Sequence, residues 1–309
     1  MYDLTLVCPF YNPGSLALEH FKKHKDLLKH NLQIIYVSDG SKDNTLKLLK
    51  KYKESLNNTF KKKILIFSLK KNNGPGIARN FAIKKIKSRY LIFLDIDDYL
   101  IKKNIKHLLN ELKKNCKDIF ILNYVKNGPT QVNLAKKKKI IKRNLIKDFL
   151  RTELDMNPNF YAFRKSFIDR YKIKFKKGYY EDINFMLKCF VCYQSLKIYK
   201  KEIYKKNINK RSITQTSSLK HITDFISVCF DKKLFFDKNI KNQIKSVSTD
   251  DLQYGLRGDY IFTLSLAKKS KLKNKKNIIG FIDKKFKKIL DKNFKIKTSY
   301  DKIVKNNLF

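Results

Sequence analysis

The stretch YLIFLDIDDYL, residues 90–100, decides how the rest of the chain is read: five apolar residues run straight into three carboxylates, Asp95, Asp97 and Asp98. A short apolar run bounded by polar residues reads as a buried strand. Backbone order alone asks for no acidic cluster at its end. If the strand continues through the acids, residues two apart project to one side, so Asp95 and Asp97 converge while Ile96 turns into the core. Ligands of open α/β sheets bind beyond the carboxyl ends of the strands. Hard divalent cations such as Mg²⁺ or Mn²⁺ take oxygen ligands and share them with substrate phosphates. The pair therefore suits a metal and diphosphate site, although an Asp-rich turn that caps a helix would read the same way in isolation.

Working outward, apolar runs alternate with helical patterns through the first 125 residues, the signature of βαβ units around a mostly parallel sheet. LTLVCPF (4–10) reads as strand one, followed by a helix from Ser15 to about His30. QIIYV (33–37) is strand two, and SDGSKDNT (38–45) is a turn that places Ser41 or Asp43 to cap the helix LKLLKKYKESL. KILIFSL (63–69) is strand three, KKNNGPGIARN (70–80) a glycine-bearing loop opening a helix, and RYLIFLDID (89–97) strand four. A helix over 102–114 leads to strand five, DIFILNY (118–124). Gly, Pro and four consecutive lysines in KNGPTQVNLAKKKK (126–139) mark a boundary. The expected organisation is a first segment 1–125, a second 126–218 and a Lys-rich helical region 219–309.

A chain of 309 residues with 42% hydrophobic content buries a sizeable core. No secretory signal is read in MYDLTLVCPFYN, and no apolar run approaches the ~20 residues a bilayer requires. Five scattered cysteines suit free thiols in a reducing compartment. Cys189 and Cys192 form C-x-x-C inside an apolar helical stretch without a second pair, which reads as core packing, and His20 and His24 are read as surface residues. The net charge of +44 is the footprint of nucleic-acid binders and of proteins on anionic membranes. It is nearly all lysine, spread along the whole chain, whereas phosphate recognition favours arginine forks. The charge therefore attracts anionic lipids and nucleotides without specifying either.

Four segments fall at the same edge of this sheet: PFYN after strand one, VSDGSKDNT after strand two, NNGPGIARN before a helix, and the acidic stretch. In that order and spacing they resemble the nucleotide-sugar half of family 2 inverting glycosyltransferases, over roughly residues 3–125. The resemblance implies a GT-A fold, a Rossmann-like mostly parallel sheet flanked by helices, with the C-terminal region as a helical extension. It implies that Pro9 and Tyr11 line the nucleotide site and that Asp39 accepts from the base, usually uracil; relatives carry two acids where this chain has Ser38 and Asp39. Asn73, Gly74, Arg79 and Asn80 match the loop over the nucleotide. Asp97 is the expected metal ligand, with Asp95 reaching the ribose or the metal, which would be Mn²⁺ or Mg²⁺. In KGYYEDINFML (177–187), Glu181 and Asp182 open an apolar helix, where carboxylates also complement the helix dipole. By resemblance Asp182 is the base that deprotonates an acceptor hydroxyl, with Glu181 and Arg164 on the acceptor side. Lys206, Arg211, Ser212 and Thr214, in and before NKRSITQTS, match a segment that folds over the diphosphate. The implied partners are a nucleotide-sugar donor, a glycan or glycolipid acceptor such as lipooligosaccharide or capsule, and an anionic inner-membrane surface beside a cytoplasmic protein.

Other classes fit less well. A haloacid-dehalogenase phosphatase carries its D-x-D after the first strand, and a sugar-nucleotide pyrophosphorylase needs a glycine-rich loop where this chain has PFYNPGS. A nucleic-acid-binding protein leaves both acidic motifs unexplained, so nucleic acid is not an expected partner. Near the C-terminus, Ile278, Phe281, Ile282, Phe286, Ile289 and Leu290 recur at helical spacing against lysines. Packing onto the folded chain is the expected role, with interfacial membrane contact as the alternative.

Overall fold

Burial explains why the first strands form: every residue of Leu4–Phe10 (β1) and Leu32–Ser38 (β2) is shielded from solvent, the pattern of strands covered on both faces. The computed structural model describes residues 1–126, 145–150, 155–207, 217–239, 248–294 and 298–309. Along the chain, β1 is followed by α1 (Ser15–His24), β2, α2 (Thr45–Glu54), α3 (Asn58–Lys62), β3 (Ile64–Ser68) and α4 (Pro75–Ile83). Then come β4 (Tyr90–Phe93), β5 (Tyr99–Leu100), α5 (Ile105–Asn115), β6 (Ile119–Lys126) and α6 (Leu145–Leu150). The order continues with β7 (Tyr161–Arg164), α7 (Lys165–Arg170), α8 (Glu181–Cys192) and β8 (Leu196–Lys206). It ends with α9 (Leu219–Asn239), α10 (Thr249–Lys269), α11 (Lys275–Phe286) and α12 (Ser299–Leu308).

The described strands form one eight-stranded sheet in the order β3-β2-β1-β4-β7-β6-β8-β5. The β3-β2-β1-β4 half is parallel; β7 runs antiparallel between β4 and β6, β6 pairs parallel with β8, and β5 is antiparallel to β8. This is the expected mostly parallel α/β architecture, and the three strand ends β1, β2 and β4 share one edge.

His20 and His24 are a correction to the sequence reading: both are buried, at 3% and 1% exposure. A lone pair of histidines one turn apart gave no sign of a partner, but the fold supplies two. His20 Nδ1 lies 3.1 Å from Tyr36 Oη, and His24 Nε2 accepts from the Leu100 N–H at 3.2 Å while its Nδ1 donates to the His20 carbonyl at 2.7 Å. Burial lowers the His24 pKa to about 4, so the ring is neutral and keeps the Nε2 lone pair that anchors β5.

The chain forms two compact units whose pieces interleave, where the sequence reading drew consecutive segments. The first comprises Met1–Ile140, Met156–Gly178 and Cys192–Asn209 and contains the sheet; the second comprises Ile141–Asp155, Tyr179–Val191 and Lys210–Phe309. Within the second, α10 is the central helix, touching α6, α9, α11 and α12. Gly255 faces α6 so closely that any Cβ would strike the Leu150 carbonyl. Two buried ion pairs, Lys232 with Asp259 and Arg257 with Asp301, tie α9 and α12 to α10. The C-terminal stripe is buried at Ile282, Phe286, Ile289 and Leu290, with the Phe286 ring 5.3 Å from Tyr260 of α10. Cys189 is buried and Cys192 half-buried, and neither is in a disulfide. No helix among the described residues is long and apolar enough to cross a membrane.

Candidate active site

The acidic cluster begins where β4 is released from the sheet. Phe10 directs its carbonyl to the Asp39 N–H at 2.8 Å, on the β2 side. By alternation Pro9 faces β4 and offers it no N–H. Pairing between β1 and β4 ends at Val7 and Phe93, followed by a last bond from the Leu94 N–H to the Val7 carbonyl at 2.9 Å. The chain then turns, with the Asp98 N–H donating to the Asp95 carbonyl at 3.1 Å.

This corrects the reason given for convergence. Strand alternation does not bring Asp95 and Asp97 together, because both lie beyond β4 in a turn, and the turn gathers Asp98 with them. One oxygen from each of the three carboxylates lies within 4.8 Å of the others. Pairing of β5 with β8, Tyr99 opposite Lys205, carries Tyr204, Lys206 and Asn207 to the same place.

Each acid has its own surroundings. Asp95 accepts from Arg79 Nη2 at 2.9 Å on Oδ1 and from Asn159 Nδ2 at 2.7 Å on Oδ2. Burial pushes its carboxyl up, but Arg79, Lys206 and Asn159 outweigh that and hold it below the usual carboxylate range. Asp98 is buried and accepts from Tyr204 Oη at 2.6 Å, Lys206 Nζ at 3.3 Å and the Asn207 N–H at 2.8 Å. Burial raises its pKa to about 7 against the pull of Lys206, with Asp95 adding to the rise. Asp97 is half-buried, and its carbonyl accepts from Asn207 Nδ2 at 2.6 Å.

The neighbouring loops are cross-linked to one another. Asp39, buried after β2, accepts from the Asn73 N–H at 3.0 Å and the Gly74 N–H at 2.7 Å, so its carboxylate holds the loop that opens α4. Burial raises its pKa, opposed by those two amides. Gly40 is at φ +73°, where a Cβ would collide with the Lys71 backbone; the D-G sequence is what lets this loop approach. Asp43 accepts from the Thr45 N–H and hydroxyl at the start of α2 and from the Gly14 N–H at 3.0 Å, joining the loops after β1 and β2. Tyr11 stands at the rim, 46% exposed.

Pro9, Tyr11, Asp39, Asn73, Gly74, Arg79, Asp95, Asp97 and Lys206 are therefore gathered at the carboxyl edge of the first unit's sheet. Arg79 belongs there through Asp95: its guanidinium is buried between the rings of Phe93 and Phe175, 5.7 and 5.4 Å away. Arg164 does not belong there. It pairs with Tyr90 at the opposite end of β4 and donates to the Cys116 carbonyl at 3.2 Å, which removes it from the acceptor residues. Arg211, Ser212 and Thr214 lie outside the described residues. Asn159, Asp98, Tyr204 and Asn207 were missed. Only Asp98 carried a signal, as the third acid of D-I-D-D; the others depend on contacts the sequence does not display.

In the second unit, Glu181 and Asp182 form the first turn of α8, with Asp182 Oδ1 accepting from the Ile183 N–H at 3.0 Å. The entry to the helix is tightly bent, with Tyr180 at φ +60°. The Tyr179 N–H donates to Asp224 of α9 at 2.9 Å, and its ring stacks on His221 at 3.8 Å.

The donor set fits a hard divalent cation, being carboxylate oxygen throughout. Asp97, with Asp95, would hold it. Asn159 Oδ1, next to Asp95, is a buried acceptor with no hydrogen-bond partner among the described residues, so the site retains polar capacity for a ligand.

Comparison with known proteins bears on the family and the fold. A poly(ribitol-phosphate) β-N-acetylglucosaminyltransferase, TarP from Staphylococcus aureus, is 30% identical over 187 residues, which are 57% of this chain and 53% of that protein. The chain thus spans about half the length of that relative. TarS 1-349 from S. aureus, solved with UDP-GlcNAc, superposes with a TM-score of 0.61 at 16% identity over 92% of this chain and 88% of that one. The Pyrobaculum calidifontis mannosyltransferase PcManGT, solved with GDP-Man and Mn²⁺, superposes at 0.53 with 13% identity over 91% and 80%. Both likenesses bear on the fold, which is GT-A. The family described as Glycosyl transferase family 2 matches residues 5–208, across the whole sheet and both acidic motifs, and the chain belongs to that family.

Proposed function

We propose that the protein is a metal-dependent inverting glycosyltransferase that moves a hexosyl or N-acetylhexosaminyl residue from a UDP-sugar to a hydroxyl of a bacterial surface glycan. The observation that carries this reading is the convergence of Asp95, Asp97 and Asp98 with the loop that Asp39 holds through Asn73 and Gly74. Asp39 keeps lone pairs for a base N–H, and Gly74, at φ +93°, lets backbone approach the nucleotide. Arg79 and Asn159 fix Asp95 in orientation, so it meets its ligand without reorganising. A divalent cation bound at Asp97 and Asp95 would neutralise charge on the leaving diphosphate, a task shared with Lys206 and, by resemblance, with Arg211, Ser212 and Thr214. Asp182 takes the proton of the acceptor hydroxyl as it attacks from the face opposite the leaving group, and Glu181 lies on the acceptor side. Lipooligosaccharide and capsule are the expected acceptors, and the polyol-phosphate polymers named for the relatives join them. A net charge of +44 suits an anionic acceptor and an anionic inner-membrane surface beside a cytoplasmic protein, without choosing between them.

The test is a thermal-shift panel of UDP, GDP, dTDP and CDP, with and without Mn²⁺, on the wild type and Asp97→Ala. UDP with Mn²⁺ should raise the melting temperature by several degrees, about 2.7 kcal/mol at a hundredfold excess over Kd, and Asp97→Ala should abolish the shift. Absence of a shift with every nucleotide would overturn the reading.

A further inference from the structure

The acidic cluster already contains a cation of its own. Lys206, the last residue of β8, places Nζ 3.3 Å from Asp98 Oδ2 and 3.8 Å from Asp95 Oδ2, with only 25% of its side chain exposed. Arg79 takes the other oxygen of Asp95 at 2.9 Å. Even with all three carboxylates ionised, they face two fixed positive charges, leaving at most one formal negative charge for an incoming dication.

The oxygens tell the same story. Both oxygens of Asp95 accept from protein donors, Arg79 and Asn159, and so do both oxygens of Asp98, from Tyr204 and Lys206 on one and Asn207 on the other. A dication arriving alone would meet an ammonium and carboxylates already engaged. One arriving with a nucleoside diphosphate brings two or three negative charges and fresh oxygen ligands with it.

We propose that Lys206 is a built-in competitor for the divalent cation, making metal uptake depend on the nucleotide diphosphate. The inference rests on the functional reading above and adds an order of binding to it. A purely structural role, pinning β8 to the acidic turn, would leave metal affinity unmoved when the charge alone is removed.

The experiment measures Mn²⁺ binding to the full chain by the electron-paramagnetic-resonance signal of free Mn²⁺, with and without UDP, corrected for the Mn²⁺–UDP complex in solution. Wild type, Lys206→Met and Lys206→Arg are compared. The wild type should bind Mn²⁺ about tenfold or more tightly with UDP than without, and by linkage Mn²⁺ should tighten UDP by the same factor. Lys206→Met should tighten nucleotide-free Mn²⁺ binding by about tenfold, closing most of that gap, while Lys206→Arg should stay near wild type. A Lys206→Met affinity within about twofold of wild type would overturn the proposal. Equal Mn²⁺ affinity with and without UDP in the wild type would overturn it too, even if the methionine variant failed to fold. Failure of every nucleotide to bind would instead remove the functional reading beneath it, which separates the two failures.

Discussion

The acidic turn at Asp95–Asp98 and the acidic helix start at Glu181–Asp182 hold the same kind of side chain under opposite conditions. The turn is assembled from distant parts: Arg79 of α4, Asn159, and Tyr204, Lys206 and Asn207 at the end of β8, the last bonding to a residue 110 positions away. At the helix start, Asp182 accepts from the next residue's N–H, as a carboxylate in any first helical turn can. Charges gathered by tertiary contacts support the fold as well as the chemistry, whereas the isosteric Asn can replace the proposed base, Asp182, in the first turn of a helix. Substitutions in the two regions should therefore separate stability from activity.

The largest effect is expected at the helix start. Asp182→Asn should lower kcat by about 10²–10⁴-fold through loss of the base, with nucleotide binding and melting temperature near wild type. A transfer assay beside a melting curve checks this, and an inactive variant that also melts early would break the contrast. Arg79→Leu should show the opposite balance. Removing a guanidinium of which 7% is exposed leaves Asp95 in a part-buried site without its closest charge partner, at a cost of about 3 kcal/mol by urea denaturation. Stability near wild type in that variant would mean that Asn159 and Lys206 hold Asp95 unaided.

The effect that is smallest at each step, a gradual change with pH, sharpens the view of the turn. Asp98 has its folded pKa raised to about 7, above the value in an unfolded chain. Between about pH 4 and pH 7 the folded protein therefore keeps a proton that the unfolded chain has released, and the stability this group contributes is lost as pH rises through that window. Asp98→Asn cannot titrate. The stability difference between variant and wild type should shift in the variant's favour by roughly 1 kcal/mol per pH unit across the window. Parallel pH profiles would show that Asp98 stays ionised throughout, held by Lys206.

Much of the frame was legible in residue order. LTLVCPF, QIIYV and KILIFSL form β1, β2 and β3 close to their expected limits: β1 and β2 are mostly apolar because both their faces are covered, and β3, at the sheet edge, is half-buried. N-N-G-P-G marks the start of α4, where Gly74 at positive φ precedes Pro75 in the first turn. The acidic stretch was correctly located but wrongly explained. Whether a chain runs on as a strand or turns at Asp95 depends on what lies alongside, here a proline in β1 that offers β4 no hydrogen bond. His20 and His24 went astray for a related reason, since a histidine's burial depends on a partner, and Tyr36 and Leu100 are supplied by other elements.

What the sequence determined by itself is the α/β alternation, the edge at which the acids and glycine loops gather, and the family whose motif order they match. The first two follow from local periodicity and spacing, which hydrophobic burial and backbone geometry impose within a dozen residues; the third rests on the resemblance of the motifs. Only the tertiary structure decided which groups surround each acid: that Arg79 serves Asp95, that Arg164 sits at the far end of β4, and that Lys206 stands among the carboxylates. Pairing of β5 with β8 joins residues about a hundred positions apart, and such a contact is set by sheet register rather than by any pattern at either end.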